Sequence, residues 1–482
     1  MHLVCFKSCQ WPGFMLFLKE EKVMDMKKIP VIKNEQLTLE VMDLTFEGFG
    51  VVKKEGFPIF VENSIPGEII TLRVTKVTKR YAYGRILSIE NPSPKRVELV
   101  DKVGTRIGTM PLQHMAYDLQ CEFKQNQVKA TLGRVINLDG VPVLPTLGMK
   151  NPWHYRNKAT IPVQSVNGVI ETGFFKRGTH DLIPIEDYYI QEEALDKAIL
   201  VIRDLLRQYK ISAYDETNHT GLIRNIMVRQ GHYTQELMVV LVTNGSKLPF
   251  EKEIVNAIVE ALPKTVSIVQ NINPKQTNVI LGREQNVLYG EDIYQDQLLG
   301  KTFKISSKSF FQINTKQTEL LYQQAIEMAE VTNDDVVVDA YCGIGSITLN
   351  LADKAKFVYG VEIVEDAITM AKENAKLNHI ENVQFEAGEA EKIMPAWVKQ
   401  GIEIDVLVVD PPRKGLDPVF IEAALTSHPR RIVYVSCNPI SLAKDLRSFI
   451  DGGYRVEKVQ PVDMFPQTTH VETVVLLSKA DK

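Results

Sequence analysis

No long apolar run occurs in the 482 residues of this chain. The one apolar patch near its start, residues 11–18, is too short to cross a bilayer. No small-residue cleavage site follows it, so neither a membrane segment nor a secretion signal is predicted. The cytoplasm is the expected compartment. Cysteine is also scarce: five residues, at 5, 9, 121, 342 and 437, odd in number and scattered. That pattern excludes a disulfide framework and fits a reducing compartment. Only Cys5 and Cys9 have a ligand-like spacing, and no second pair accompanies them, so no metal site is predicted. Charge of one sign is lacking as well. The net charge of −4 gives the whole molecule no attraction to nucleic acid. Repeats and low-complexity segments are absent, and residues 1–30 carry no legible signal beyond two later candidate starts, Met24 and Met26.

What is present is organised in three stretches, enough for the roughly three domains that this length suggests. Residues 31–91 read as short β-branched or alternating runs separated by "EGFG", "KKEG" and "SIPGE". About five strands here suggest a small closed barrel of the oligonucleotide-binding kind. Charge is concentrated locally: residues 73–106 hold nine bases against three acids, with Tyr81 and Tyr83 between them. Such a cluster can follow a phosphate backbone, and charge alone is equally consistent with a solvated face. "NPSPKR" reads as a linker. Residues 92–310 are mixed α+β, with helices in "QHMAYDLQCEFKQNQVKATLGRV" and "DKAILVIRDLLRQY". From 311 to 482 helix and strand alternate, which predicts an α/β domain: an open, mostly parallel sheet covered on both faces.

In such a sheet, ligands bind beyond the carboxyl ends of the strands. Four motifs fall at those ends. In "DAYCGIGSITL", Gly343 and Gly345 let the backbone approach a ligand at a helix start. Glu362 ends the next strand, where an acid can hold a ribose. The third glycine of the dinucleotide fingerprint is missing, so a nucleoside cofactor without pyrophosphate fits better than NAD, and S-adenosylmethionine has that form. "VVDPPRKGL" carries Asp410 into a stiff proline pair followed by Arg413 and Lys414. In "YVSCNP", Cys437 ends a strand. As a nucleophile it needs thiolate character, a downward shift that local amides or Arg413 could supply. "HVETVVLL" puts His470 and Glu472 at the entrance to the last strand, where a carboxylate can act as a base.

Together with "SFFQIN" and "VYGVEI", these motifs resemble the uracil-5 RNA methyltransferases that modify transfer RNA and the large ribosomal RNA. The resemblance spans residues 31–482. "GFGVV", "FVENSIPGE" and "RYAYGRI" are similar to the RNA-binding TRAM domain, which ribosomal-RNA members carry and the transfer-RNA branch usually lacks. The implied protein has a TRAM barrel at 31–91, a central RNA-binding domain at 92–310 and a Rossmann-like class I methyltransferase domain at 311–482. It would be a monomer acting on 23S ribosomal RNA, on one or two target uridines.

By motif position, Gln312, Tyr341, Glu362 and Asp410 would contact S-adenosylmethionine, and Gly343, Gly345 and Ser346 would shape its loop. Cys437 would add to carbon 6 of a flipped-out uridine, and Glu472 would take the proton from carbon 5. Many relatives hold an iron–sulfur cluster with cysteines that here fall on Asp101, Ile107 and Met110, so no cluster is expected. Cys121 and Cys342 read as packing residues. A transfer-RNA enzyme, a cytosine-5 methyltransferase and a non-catalytic ribosome assembly factor are the alternatives.

Overall fold

The computed structural model of the protein describes residues 29–480. The apolar patch at 11–18, Cys5, Cys9, Met24 and Met26 lie outside the described residues. The described chain divides into two compact units. One holds the residues up to Gln120 with Phe175–Asp181 and Gln467–Thr469, and the other holds the rest.

The first unit is built on a six-stranded sheet. Its order is Gln36–Glu40, Ile69–Val77, Ala82–Asn91, Phe57–Val61, Gly50–Lys54, Asp43–Leu44. The alternating run "QLTLEVMDL" (36–44), which reads as one strand, is broken at Val41–Met42. There Val41 N–H donates to Glu68 (2.9 Å) while Met42 N–H donates to Val51 (2.8 Å), so the chain leaves one neighbour for another. The two end strands are therefore continuous in sequence and the sheet returns on itself around Val52, Ile59, Val61, Ile70, Leu72 and Val74. Beyond it, the positions where a cluster would have its cysteines are filled otherwise. Asp101 caps the helix Lys102–Ile107, its carboxylate accepting from Val103 N (2.7 Å) and Gly104 N (2.8 Å). Ile107 and Met110 are core side chains.

The second unit contains two seven-stranded sheets. The central one runs in the order Glu284–Gly290, Thr265–Ile272, Leu237–Thr243, Ile223–Gln230, Lys158–Val166, Val169–Phe175, Leu182–Pro184. Apolar residues of the helix Glu193–Gln208 at three- and four-residue spacing (Leu195, Ala198, Ile199, Ile202, Leu206) cover one of its faces. The last sheet runs Val383–Ala387, Phe357–Glu362, Val336–Ala340, Val406–Val409, Arg431–Ser436, Glu472–Lys479, Tyr454–Val462. Its first five strands are mutually parallel, and the last two are antiparallel to their neighbours. The helix expected after "CGIG" is short, Thr348–Leu351. Lys124 and Asp463, both without solvent exposure, form an ion pair that fixes the turn leading to the last strand. Lys124 also donates to the Phe465 carbonyl (3.0 Å).

Candidate active site

Parallel strands bring Tyr341, Glu362, Asp410 and Cys437 to one edge, because each ends or immediately follows a strand of the last sheet. The final strand runs the other way, so its first residue, Glu472, reaches the same edge. Ser436 pairs with Thr473, and the next step of that register sets Cys437 opposite Glu472. On the other side Glu472 pairs with Val462.

The turn after Ala340 is made by backbone. Tyr341 takes φ +70°, and its N–H donates to Val361 O at 2.9 Å. Gly343 (φ +56°) and Gly345 (φ +87°) follow. A Cβ on Gly343 would meet nothing within 4 Å, whereas one on Gly345 would lie 3.2 Å from the Phe385 ring. Glycine is needed at both for backbone angle, and at Gly345 also for space. Cys342 is buried in the core, as a packing residue. Glu362 is held at its strand end by Val364 N–H (3.0 Å to Oε1) and by Gly388 N–H on its carbonyl (2.9 Å).

The loop after Asp410 is fastened from the following helix, Pro439–Asp451. Asn438 caps that helix through Ile440 N (3.1 Å) and donates from Nδ2 to the Arg413 carbonyl (2.9 Å). Buried Asp445 accepts from Leu416 N (2.8 Å) and the Tyr434 hydroxyl (2.7 Å). Tyr322, on the helix Thr315–Ala329, joins the remaining candidates. Its hydroxyl lies among the side chains of Gln312 and Ser346 and within the field of Asp410, and burial raises its pKa. Neither Tyr322 nor the Asn438–Asp445 fastening is legible in the motifs. An Asn-Pro pair after a strand is a helix-cap signal and could have revealed the first half of it.

Three carboxyl groups near this edge hold protons unusually well. Burial, then the charge of Asp339, raises Asp410 to about 7. Asp339 itself, buried with Oδ2 bonded to Thr348 Oγ1 (2.6 Å), is raised to about 7. Burial, then Asp410, raises Glu472 to about 8. The thiol departs from expectation: Cys437 is pushed up to about 12, by burial first and then by Glu472 and Asp410. Arg413 does act in the expected, lowering direction, but it is exposed and two carboxylates outweigh it. At rest Cys437 is a thiol.

Residues 117–480 match the tRNA (uracil-5-)-methyltransferase family, and residues 30–87 match the TRAM domain. The chain belongs to the RNA uracil-5-methyltransferase family. Its relatives include an uncharacterized RNA methyltransferase of Enterococcus faecalis, 50% identical over 455 residues, covering 94% of this chain and all of that protein. Another from Lactiplantibacillus plantarum is 52% identical over 452 residues, covering 94% and 99%. Among solved structures, the tRNA (uracil-54, C5)-methyltransferase of Pyrococcus abyssi, in complex with S-adenosyl-L-homocysteine, superposes with a TM-score of 0.73. It is 27% identical, covering 92% of this chain and 100% of that one. The protein is thus an S-adenosylmethionine-dependent RNA uracil-5 methyltransferase with an N-terminal TRAM domain and a Rossmann-like catalytic sheet. Among the described residues, no helix of this methyltransferase is long and apolar enough to cross a membrane.

Proposed function

We propose that the protein methylates carbon 5 of uridine in 23S ribosomal RNA, acting as a cytoplasmic monomer through covalent catalysis by Cys437. The observation that carries the mechanism is that Cys437 and Glu472 flank the last registered pair, Ser436 and Thr473, and that the charge of Glu472 acts on the Cys437 thiol. Carbon 5 of uracil is a poor nucleophile until a group adds to carbon 6. Cys437 adds there as a thiol, because no thiolate is stored beforehand: its sulfur bonds carbon 6 while its proton passes to the uracil oxygen on carbon 4, leaving an enol. S-adenosylmethionine supplies an electrophilic methyl group on a sulfonium centre. With the methyl group on carbon 5 and the carbon-4 carbonyl restored, Glu472 removes the carbon-5 proton and the carbon–sulfur bond breaks; of the two protons, one returns to the sulfur and one leaves for solvent. A Glu472 pKa of about 8 makes its ionised form accessible near neutral pH. Attack on the ring face requires a flipped-out uridine, hence a loop or bulge.

The cofactor's residues would be Gln312, Tyr341, Glu362 and Asp410, with Gly343, Gly345 and Ser346 shaping the loop. Open space above Gly343 fits a nucleoside, and exposed Ile363 and Val364 beside Glu362 offer it an apolar surface. Asp410 would face the sulfonium charge. The division at 31–91, 92–310 and 311–482 is the working domain scheme.

The TRAM match favours ribosomal RNA. Transfer RNA is the second reading, favoured by the Pyrococcus abyssi enzyme, which aligns over 92% of this chain. Mapping 5-methyluridine in 23S and transfer RNA from a deletion strain, then from the complemented strain, tests both. Loss confined to transfer RNA would overturn the ribosomal assignment.

A further inference from the structure

We propose that Arg156 and Lys158 form a landing site for a backbone phosphate of the RNA substrate, beside the loop that carries Gln312. The inference rests on RNA being the substrate.

Lys158 opens the strand Lys158–Val166, along which Ala159, Ile161 and Val163 face the helix-covered core. Lys158 lies on the other face, and the register sets it directly opposite Arg229. Like charges opposed in this way destabilise a sheet. Arg229 is partnered in part: it is buried, and its Nη1 donates to the carbonyls of Ser306 (2.8 Å) and Ser309 (2.9 Å), although its Nε has no partner. Lys158 has no such bond: it is half-buried, and among the described residues its side chain makes no hydrogen bond and no ion pair. Burial, then Arg229 and Arg156, hold its ammonium well below the usual lysine range. An amine so placed weakens the empty fold, because no protein group offsets its partial desolvation or its repulsion. A bound anion reverses the sign of both effects.

The position suits substrate RNA. Between the two cations, Asn157 donates from Nδ2 to the Gln312 carbonyl (3.1 Å) and from its N–H to Ile313 O (2.8 Å). Residues 156–158 therefore run alongside the Gln312 loop. Arg156 also acts on His470, two residues before Glu472, as does Arg413. A phosphate at Lys158 would fix the strand whose base turns toward Cys437.

The test compares Lys158→Gln and Lys158→Arg with the wild type, measuring RNA affinity against salt and S-adenosylmethionine affinity by calorimetry. For Lys158→Gln, the slope of log K against log salt should fall by about 0.7, the share of one single-strand phosphate. The loss of affinity is then about fivefold greater at 0.1 M than at 1 M salt. KM for RNA should rise with kcat retained, and Lys158→Arg should restore the slope. Removing an unpaired charge leaves the fold intact, which a melting curve checks. An unchanged slope in Lys158→Gln overturns the assignment. So does lost S-adenosylmethionine affinity with RNA binding intact, which would give the anion to the cofactor's carboxylate. A wild type that binds no RNA would sink the substrate reading together with the site.

Discussion

Replacing Glu472 by glutamine keeps the side-chain shape and removes both the proposed base and a negative charge beside Cys437. Opposed residues of antiparallel strands have Cα atoms roughly 5 Å apart. Two charges about 5 Å apart at an effective dielectric of about 20 interact by about 3 kcal/mol, or about two pH units. The Cys437 thiol, pushed up to about 12 in the wild type, should therefore titrate near 10 in Glu472→Gln. Burial, its largest cause, keeps it above an ordinary thiol. The difference should appear only above about pH 8, because below that Glu472 is protonated and does not repel. Iodoacetamide labelling followed by peptide mass measures it, with Cys121 and Cys342 as internal references. Between pH 9 and 10, Cys437 should label about a hundredfold faster in the variant. With RNA and S-adenosylmethionine, the same variant should stall after methyl transfer. It should give a singly methylated protein–RNA adduct on a denaturing gel that disappears when Cys437→Ala is added. A folded variant with a wild-type labelling profile and no adduct would refute the pairing of these two residues.

S-adenosylmethionine should bind up to about tenfold tighter at pH 8 than at pH 6, since Asp410, raised to about 7, attracts the sulfonium only when ionised. Neutral S-adenosylhomocysteine should lack that trend, and matching calorimetric pH profiles for the two would contradict it. On the TRAM barrel, exposed Arg73 and Arg85 stand directly opposite each other. Arg73→Ala with Arg85→Ala should leave thermal stability equal or higher while weakening RNA binding and its salt dependence. Lys124→Met should lower unfolding free energy by about 3–5 kcal/mol in urea titrations, because it strands the Asp463 charge.

The sheet and its ligand edge were legible because parallel strands buried on both faces read as apolar runs, and each run ends in a chemically distinctive residue. The strand Tyr454–Val462 was not, since its sequence mixes Arg455, Glu457 and Lys458 with a proline. That strand lies beyond the last one, which it flanks. Its absence from the sequence reading hid how firmly Glu472 is held. The break at Val41–Met42 was also invisible, because a change of hydrogen-bonding neighbour leaves no trace in β-branched composition. Sequence placed Arg413 near the thiol but could not weigh it against two carboxylates. That balance depends on burial, which no motif encodes.

The strand Glu472–Lys479 is threaded between Arg431–Ser436 and Tyr454–Val462, two segments made before it. During synthesis the strand that Cys437 follows can form and pair with the earlier parallel strands before Glu472 has been made. Chains fold from the N-terminus as they emerge, so Glu362, Asp410 and Cys437 can reach their strand ends before the residue that completes this edge arrives. The edge is completed in a late event, when the closing strand zips into a gap already flanked on both sides.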